Sequence, residues 1–167
     1  MTEKLQTLRD SAVFRWIALL LLALAMFCSY IFMDILSPIK DLMQSERGWD
    51  STAFGTMQGS ETFLNVFVFF LIFAGIILDK MGVRFTALLS GFVMLVGAVI
   101  KWYAVTDSFI GSNLETWFNN NLNYIPGFHE LGVSPFYEGM PASAKLAALG
   151  FMIFGCGVEM AGITVSR

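Results

Sequence analysis

Apolar residues fall into four long blocks along this chain, separated by intervals that hold most of its charge. The first block covers residues 13–36 and carries no charge from 16 to 33. The second covers 55–78, on a helix that starts near Ser51; Phe63, Phe67, Phe69, Phe70 and Phe73 make it bulky, and Glu61 lies in its outer third. The third covers 85–105 and is uncharged as far as Ile100, with Lys101 placed to snorkel toward an interface beside Trp102 and Tyr103. The fourth covers 144–167, on a helix starting near Ala142, and is interrupted by Glu159. Crossing the roughly 30 Å hydrocarbon core of a bilayer takes about 20 helical residues. Each block therefore predicts a transmembrane helix, and together they predict an all-α membrane protein with the lipid bilayer as its solvent.

The intervals are a terminal segment at 1–12, a loop at 37–54 that leads into the second helix, a turn at 79–84 and a long stretch at 106–143. The last contains Pro126, Pro135 and Pro141 and exceeds what a simple connection needs. Within it Ile110, Leu114, Trp117, Phe118 and Leu122 recur at helical spacing, and Ser112 followed by Glu115 is a capping-box pattern. A short amphipathic helix is predicted near 113–123, lying on the outer membrane surface or over the mouth of the bundle, or acting only as a buttress.

Composition supports the membrane reading. The hydrophobic share is 56% against 14% charged, too little polar surface to solvate a soluble domain of 167 residues. Net charge is −3 with no basic run, which argues against a nucleic-acid partner. Cys28 and Cys156 lie inside apolar blocks as small hydrophobes, and no disulfide is expected. His129 falls in the long interval and reads as a surface residue. No Cys/His cluster points to a metal. No nucleophile–base pair or phosphate loop points to an enzyme, and no cofactor is implied. Basic residues ahead of the first block resemble a secretory signal. That block is too long for one, however, and Ser37-Pro38-Ile39 lacks a small-x-small cleavage pattern, so the span is expected to be retained.

Basic residues also set an expected orientation. With the N-terminus inside, Lys4, Arg9, Arg15, Lys80, Arg84 and Arg167 are cytoplasmic, and Lys40, Arg47, Lys101 and Lys145 are external. The local contrast is sharper, because 79–84 holds two bases and 106–144 holds none.

The most specific local pattern is Gly75-Ile-Ile-Leu-Asp79-Lys80-Met-Gly82-Val-Arg84. Gly75 would permit close helix approach and Gly82 a tight turn, while Asp79 can accept hydrogen bonds from a helix N-terminus and pair with Arg84. A plainer reading, in which the bases set topology and Asp79 solubilises the turn, fits the spacing equally. Gly55, Gly59, Gly91 and Gly97 are expected to allow close helix contact. Glu159 carries the strongest chemical signal. A carboxylate in mid-span costs about 2.5–3.5 kcal/mol on insertion scales, so it should face a cavity or a partner. Asp34 and Glu61 lie nearer the outer interface, and Asn65 is placed to hydrogen-bond across helices.

The stretch from Gly75 to Arg84 resembles the signature of the major facilitator superfamily between its second and third helices, G-x-x-x-D-[RK]-x-G-x-[RK], with Val83 where many members add a second base. Tyr30, Asp34, Asn65 and Gly155-x-Gly157-x-Glu159 resemble the branch of major facilitator domain-containing protein one, the lysosomal dipeptide transporters, and its bacterial relatives. Residues 106–144 have no counterpart in the lysosomal members, and Phe151 stands where many members place an arginine. The resemblance implies the first four helices of a twelve-helix transporter in a bacterial cytoplasmic membrane, with the remaining helices as its partner. It implies small polar solutes, dipeptides or amino-acid-like compounds, moved by alternating access. It gives Gly75, Asp79, Lys80, Gly82 and Arg84 a gating role, and Glu159, Asp34, Asn65 and Tyr30 a role in binding substrate or a proton. The rival expectation is a self-standing four-helix scaffold without transport.

Overall fold

The computed structural model describes residues 11–123 and 137–165. Lys4, Arg9, Pro126, His129, Pro135 and Arg167 lie outside the described residues. The described chain is all helical: α1 (Ala12–Asp34), a 3-10 turn (Ser37–Ile39), α2 (Lys40–Arg47), α3 (Ser51–Phe67), α4 (Phe70–Ala104), α5 (Asn113–Asn121) and α6 (Ala142–Val165). Among the described residues three helical stretches are long and apolar enough to cross a membrane: Ala12–Arg47, Phe70–Ala104 and Ala142–Val165. Leu20, Phe27, Leu88 and Phe92 stay well exposed on α1 and α4. Apolar faces of that extent are compatible with a membrane-embedded protein.

The expected second span is not one uninterrupted helix. It divides at Val68 and Phe69, where Phe69 takes the left-handed conformation with φ 53° and the helix restarts at Phe70. The run Phe67-Val68-Phe69-Phe70 is a weak point for a helix, since aromatic and β-branched side chains lose rotamer freedom against a preceding helical turn. The expected turn at 79–84 narrows to one residue. Helical geometry runs through α4 except at Gly82, where φ 82° and ψ 166° break it. A Cβ there would meet nothing within 4 Å, so the backbone conformation alone calls for glycine.

Helix α6 is the most buried of the long helices and forms the axis of the fold. It lies parallel to α3, with Trp49 bonded to Ser143 near one end and Glu61 against Gly155 further along. It lies antiparallel to the later limb of α4, where Lys101 and Gly97 face Gly150, and Met94 and Ser90 face Gly157. Helix α1 also runs antiparallel to α6, with Phe32 beside Phe154 and Met26 near Gly162. The glycines divide by contact. Cβ atoms at Gly97, Gly150, Gly155 and Gly157 would strike neighbouring backbone, whereas Gly55, Gly59, Gly75 and Gly91 face open space, contrary to the close approach expected of them.

One end of the bundle is closed by a compact cap. Trp49, Phe109 and Tyr137 are fully buried there, and the Trp49 indole donates to Ser143 Oγ at 2.8 Å. The Ser112 hydroxyl accepts from Glu115 N at 3.2 Å, and Glu115 accepts from Gly111 N at 2.5 Å, so the predicted capping pattern starts α5. Lys145 in the first turns of α6 is buried. It donates to Phe118 O, Asn119 O and Asn123 Oδ1 at 3.4, 3.3 and 2.9 Å, adding a donor at the carbonyl end of α5. Arg47 at the end of α2 donates to Val105 O at 3.0 Å and pairs with Asp107 at 2.7 Å.

Candidate functional site

Below the cap, four helices bring charged side chains into one region of an otherwise apolar bundle. Glu61 stands on the face of α3 that meets α6; its Cγ lies 2.9 Å from where a Cβ on Gly155 would be. Only glycine at 155 leaves room for that side chain. Around it, Lys101 of α4 reaches the Phe154 ring next to Gly155, Asp34 follows Phe32 by two residues at the end of α1, and Glu159 lies one turn beyond Gly155 on α6. Glu159 is half-buried and Asp34 is exposed at the end of α1. Because α3 and α6 run parallel with Glu61 level with Gly155, the next helical turn places Asn65 level with Glu159. Asn65 Oδ1 is buried without a hydrogen-bond partner. An orphaned buried acceptor costs roughly 1–3 kcal/mol and is suited to a ligand that carries N–H groups.

Lys101 departs most from expectation. Its position near the end of the third apolar block predicted snorkelling to water, but the residue is 7% exposed and turns inward. Its ammonium donates to Phe32 O at 3.2 Å, within the last turn of α1, where free carbonyls and the helix dipole favour a cation. The same nitrogen lies 4.2 Å from the Phe151 ring centroid and 3.9 Å from that of Phe154. Cation–π attraction strengthens as water is removed, so these partners replace the water that snorkelling would have reached. Gly150, against which the stem of Lys101 packs, provides the space. Proximity to a helix end was legible in the sequence; the side of the helix was not. A cleft of about 270 Å³ adjoins this point, lined in part by Ser29, Phe32, Met94 and Phe154.

The remaining predicted residues are not all drawn together. Tyr30 shares the Asp34 side of α1 by helical spacing and is 56% exposed. Gly75, Asp79, Lys80, Gly82 and Arg84 belong to the opposite end of the bundle, around the break in α4, with Asp79, Lys80 and Arg84 exposed. Both cysteines are free thiols, Cys28 exposed and Cys156 buried. No protein-family model, curated protein or solved structure matches the chain.

Proposed function

We propose that the chain forms the first part of a secondary transporter that moves small polar solutes bearing an ammonium group across a membrane by alternating access. Its single strongest support is the placement of Glu61, Lys101 and Glu159 along α6 within an apolar bundle, with Asp34 at the adjoining end of α1. A lipid-facing scaffold would gain nothing from charges that cost kilocalories to bury. In this reading α3 and the early limb of α4 together make one span and the later limb another, giving four spans with the N-terminus in the cytoplasm of a bacterial cell. The fold is that of the major facilitator superfamily, with the remaining helices supplied by the rest of the transporter. Glu159 and Asn65 receive the solute ammonium group, and Asp34 and Tyr30 line its approach. Asp79, with Gly75, Lys80, Gly82 and Arg84, latches the cytoplasmic side as the two bundles rock. Dipeptides and amino-acid-like compounds are the solute class.

The test uses Glu159→Gln in the complete reading frame. The amide keeps size and hydrogen bonding but carries no charge, so uptake should fall by at least tenfold while the protein still inserts and accumulates. Uptake at the wild-type level would return Glu159 to a structural role and remove the main support for transport.

A further inference from the structure

We infer that Lys101 is an internal competitor for the carboxylates, a tethered cation held beside them by two aromatic rings and a helix-end carbonyl, whose charge weakens solute binding enough to permit release. The inference rests on the proposed transport of ammonium-bearing solutes and adds a residue to that site. Three observations carry it. First, the Lys101 ammonium sits between the faces of two phenylalanines and against a helix-end carbonyl, the kind of bracket that recognises a ligand ammonium group. Second, the Phe154 ring that brackets Lys101 adjoins Gly155, the residue of α6 against which Glu61 packs, and Glu159 lies one helical turn further along the same helix. Third, Asn65 Oδ1, one turn along α3 from Glu61, stays without a donor, so the lysine leaves part of the region unsatisfied.

A solute ammonium entering beside Glu61 and Glu159 must therefore bind against an existing positive charge. The aromatic and carbonyl partners keep Lys101 in place without consuming Glu61. Affinity is set by the difference between attraction to the carboxylates and repulsion by Lys101. A transporter needs such a limit, because a site that holds its solute too tightly turns over slowly.

The experiment measures binding of alanyl-alanine and of N-acetyl-alanyl-alanine, which has no ammonium group, to the complete protein in nanodiscs. Proteins compared are wild type, Lys101→Met, Glu159→Gln and the double variant Glu61→Gln/Lys101→Met. Removing a full charge from a partly desolvated site should tighten alanyl-alanine binding on the order of tenfold in Lys101→Met and leave the acetylated compound unaffected. The double variant should lose that gain. In uptake, Lys101→Met should lower KM and maximal rate together, whereas mere damage to the fold would lower the rate alone. Lys101→Gln repeats the comparison with a shorter neutral side chain if the methionine variant fails to accumulate, and Lys101→Arg, which keeps the charge, should show no tightening. Wild-type binding that is lost in Glu159→Gln but unchanged or weakened in both neutral Lys101 variants overturns the competitor role and leaves the transport reading intact. No binding of either compound to any of these proteins overturns both.

Discussion

Two glycines on the same limb of α4 provide an internal comparison of what close packing is worth. At Gly97 an added Cβ would lie 2.6 Å from Phe154 N, 2.8 Å from Gly150 O and 2.8 Å from Phe154 Cα. All three are backbone atoms of α6 and cannot swing away as a side chain would. Shifting α6 away from α4 is opposed by α3, because Gly155 is pressed against Glu61. At Gly91 the same Cβ would meet nothing within 4 Å. Alanine is favoured over glycine in a helix by roughly 0.8–1 kcal/mol, and that gain applies at both positions. Overpacking a close contact costs about 1–3 kcal/mol and applies only at Gly97. Gly91→Ala should therefore stabilise by up to about 1 kcal/mol, and Gly97→Ala should fall about 1–3 kcal/mol below it. Reversible unfolding in mixed micelles, titrated with a denaturing detergent, measures both against wild type. Equal stabilities for the two variants would refute the packing of α4 on α6 as described.

Cysteines introduced at Ser45 and Asn120, both exposed at the capped end, should react with an impermeant thiol reagent from outside the cell in a background lacking Cys28 and Cys156. Val83→Cys, at the other end, should be protected; the reverse pattern would invert the proposed orientation. Burial pushes the Tyr137 phenol above the usual tyrosine value, only partly offset by the Ser60 hydroxyl at 3.3 Å. Because its folded value is raised, its contribution to stability is intact below about pH 10 and is lost as pH rises through the folded value. Phenolate absorbance compared between wild type and Tyr137→Phe should show this group titrating above about pH 10, and titration at the ordinary value would contradict its burial.

Patterns that depend on composition and local spacing were legible in the sequence, and those that depend on rotation about a helix axis were not. The apolar blocks at 13–36 and 144–167 became α1 and α6, and Ser112 with Glu115 marked the start of α5 within a residue. Glu159 was visible because a mid-span carboxylate is costly wherever it points. The inward turn of Lys101 has no signature in the sequence, because a base near a helix end satisfies itself equally well in water or at another helix's carbonyls. Only the packed partners Phe32, Phe151 and Phe154 decide between them. Glycine spacing failed in the same way, since Gly91 and Gly97 differ by their direction around α4 and not by their neighbours in the chain. The interruption at Phe69 had a signal in the clustered aromatic residues, but helix propensity is a weak prior beside such long hydrophobicity.

The three bonds from Lys145 give the cap a mechanical character. They tie the end of α5 and the residue Asn123 beyond it to the first turn of α6, so the two helices form an elbow. With nine residues, α5 extends about 13 Å at 1.5 Å per residue. A tilt of α6 of about ten degrees would then sweep the far tip of α5 through roughly 2 Å by its length alone. The cap thus works as a pointer on the surface, and a pair of spin labels reaching from Asn113 to a fixed loop would read the angle of the buried axis.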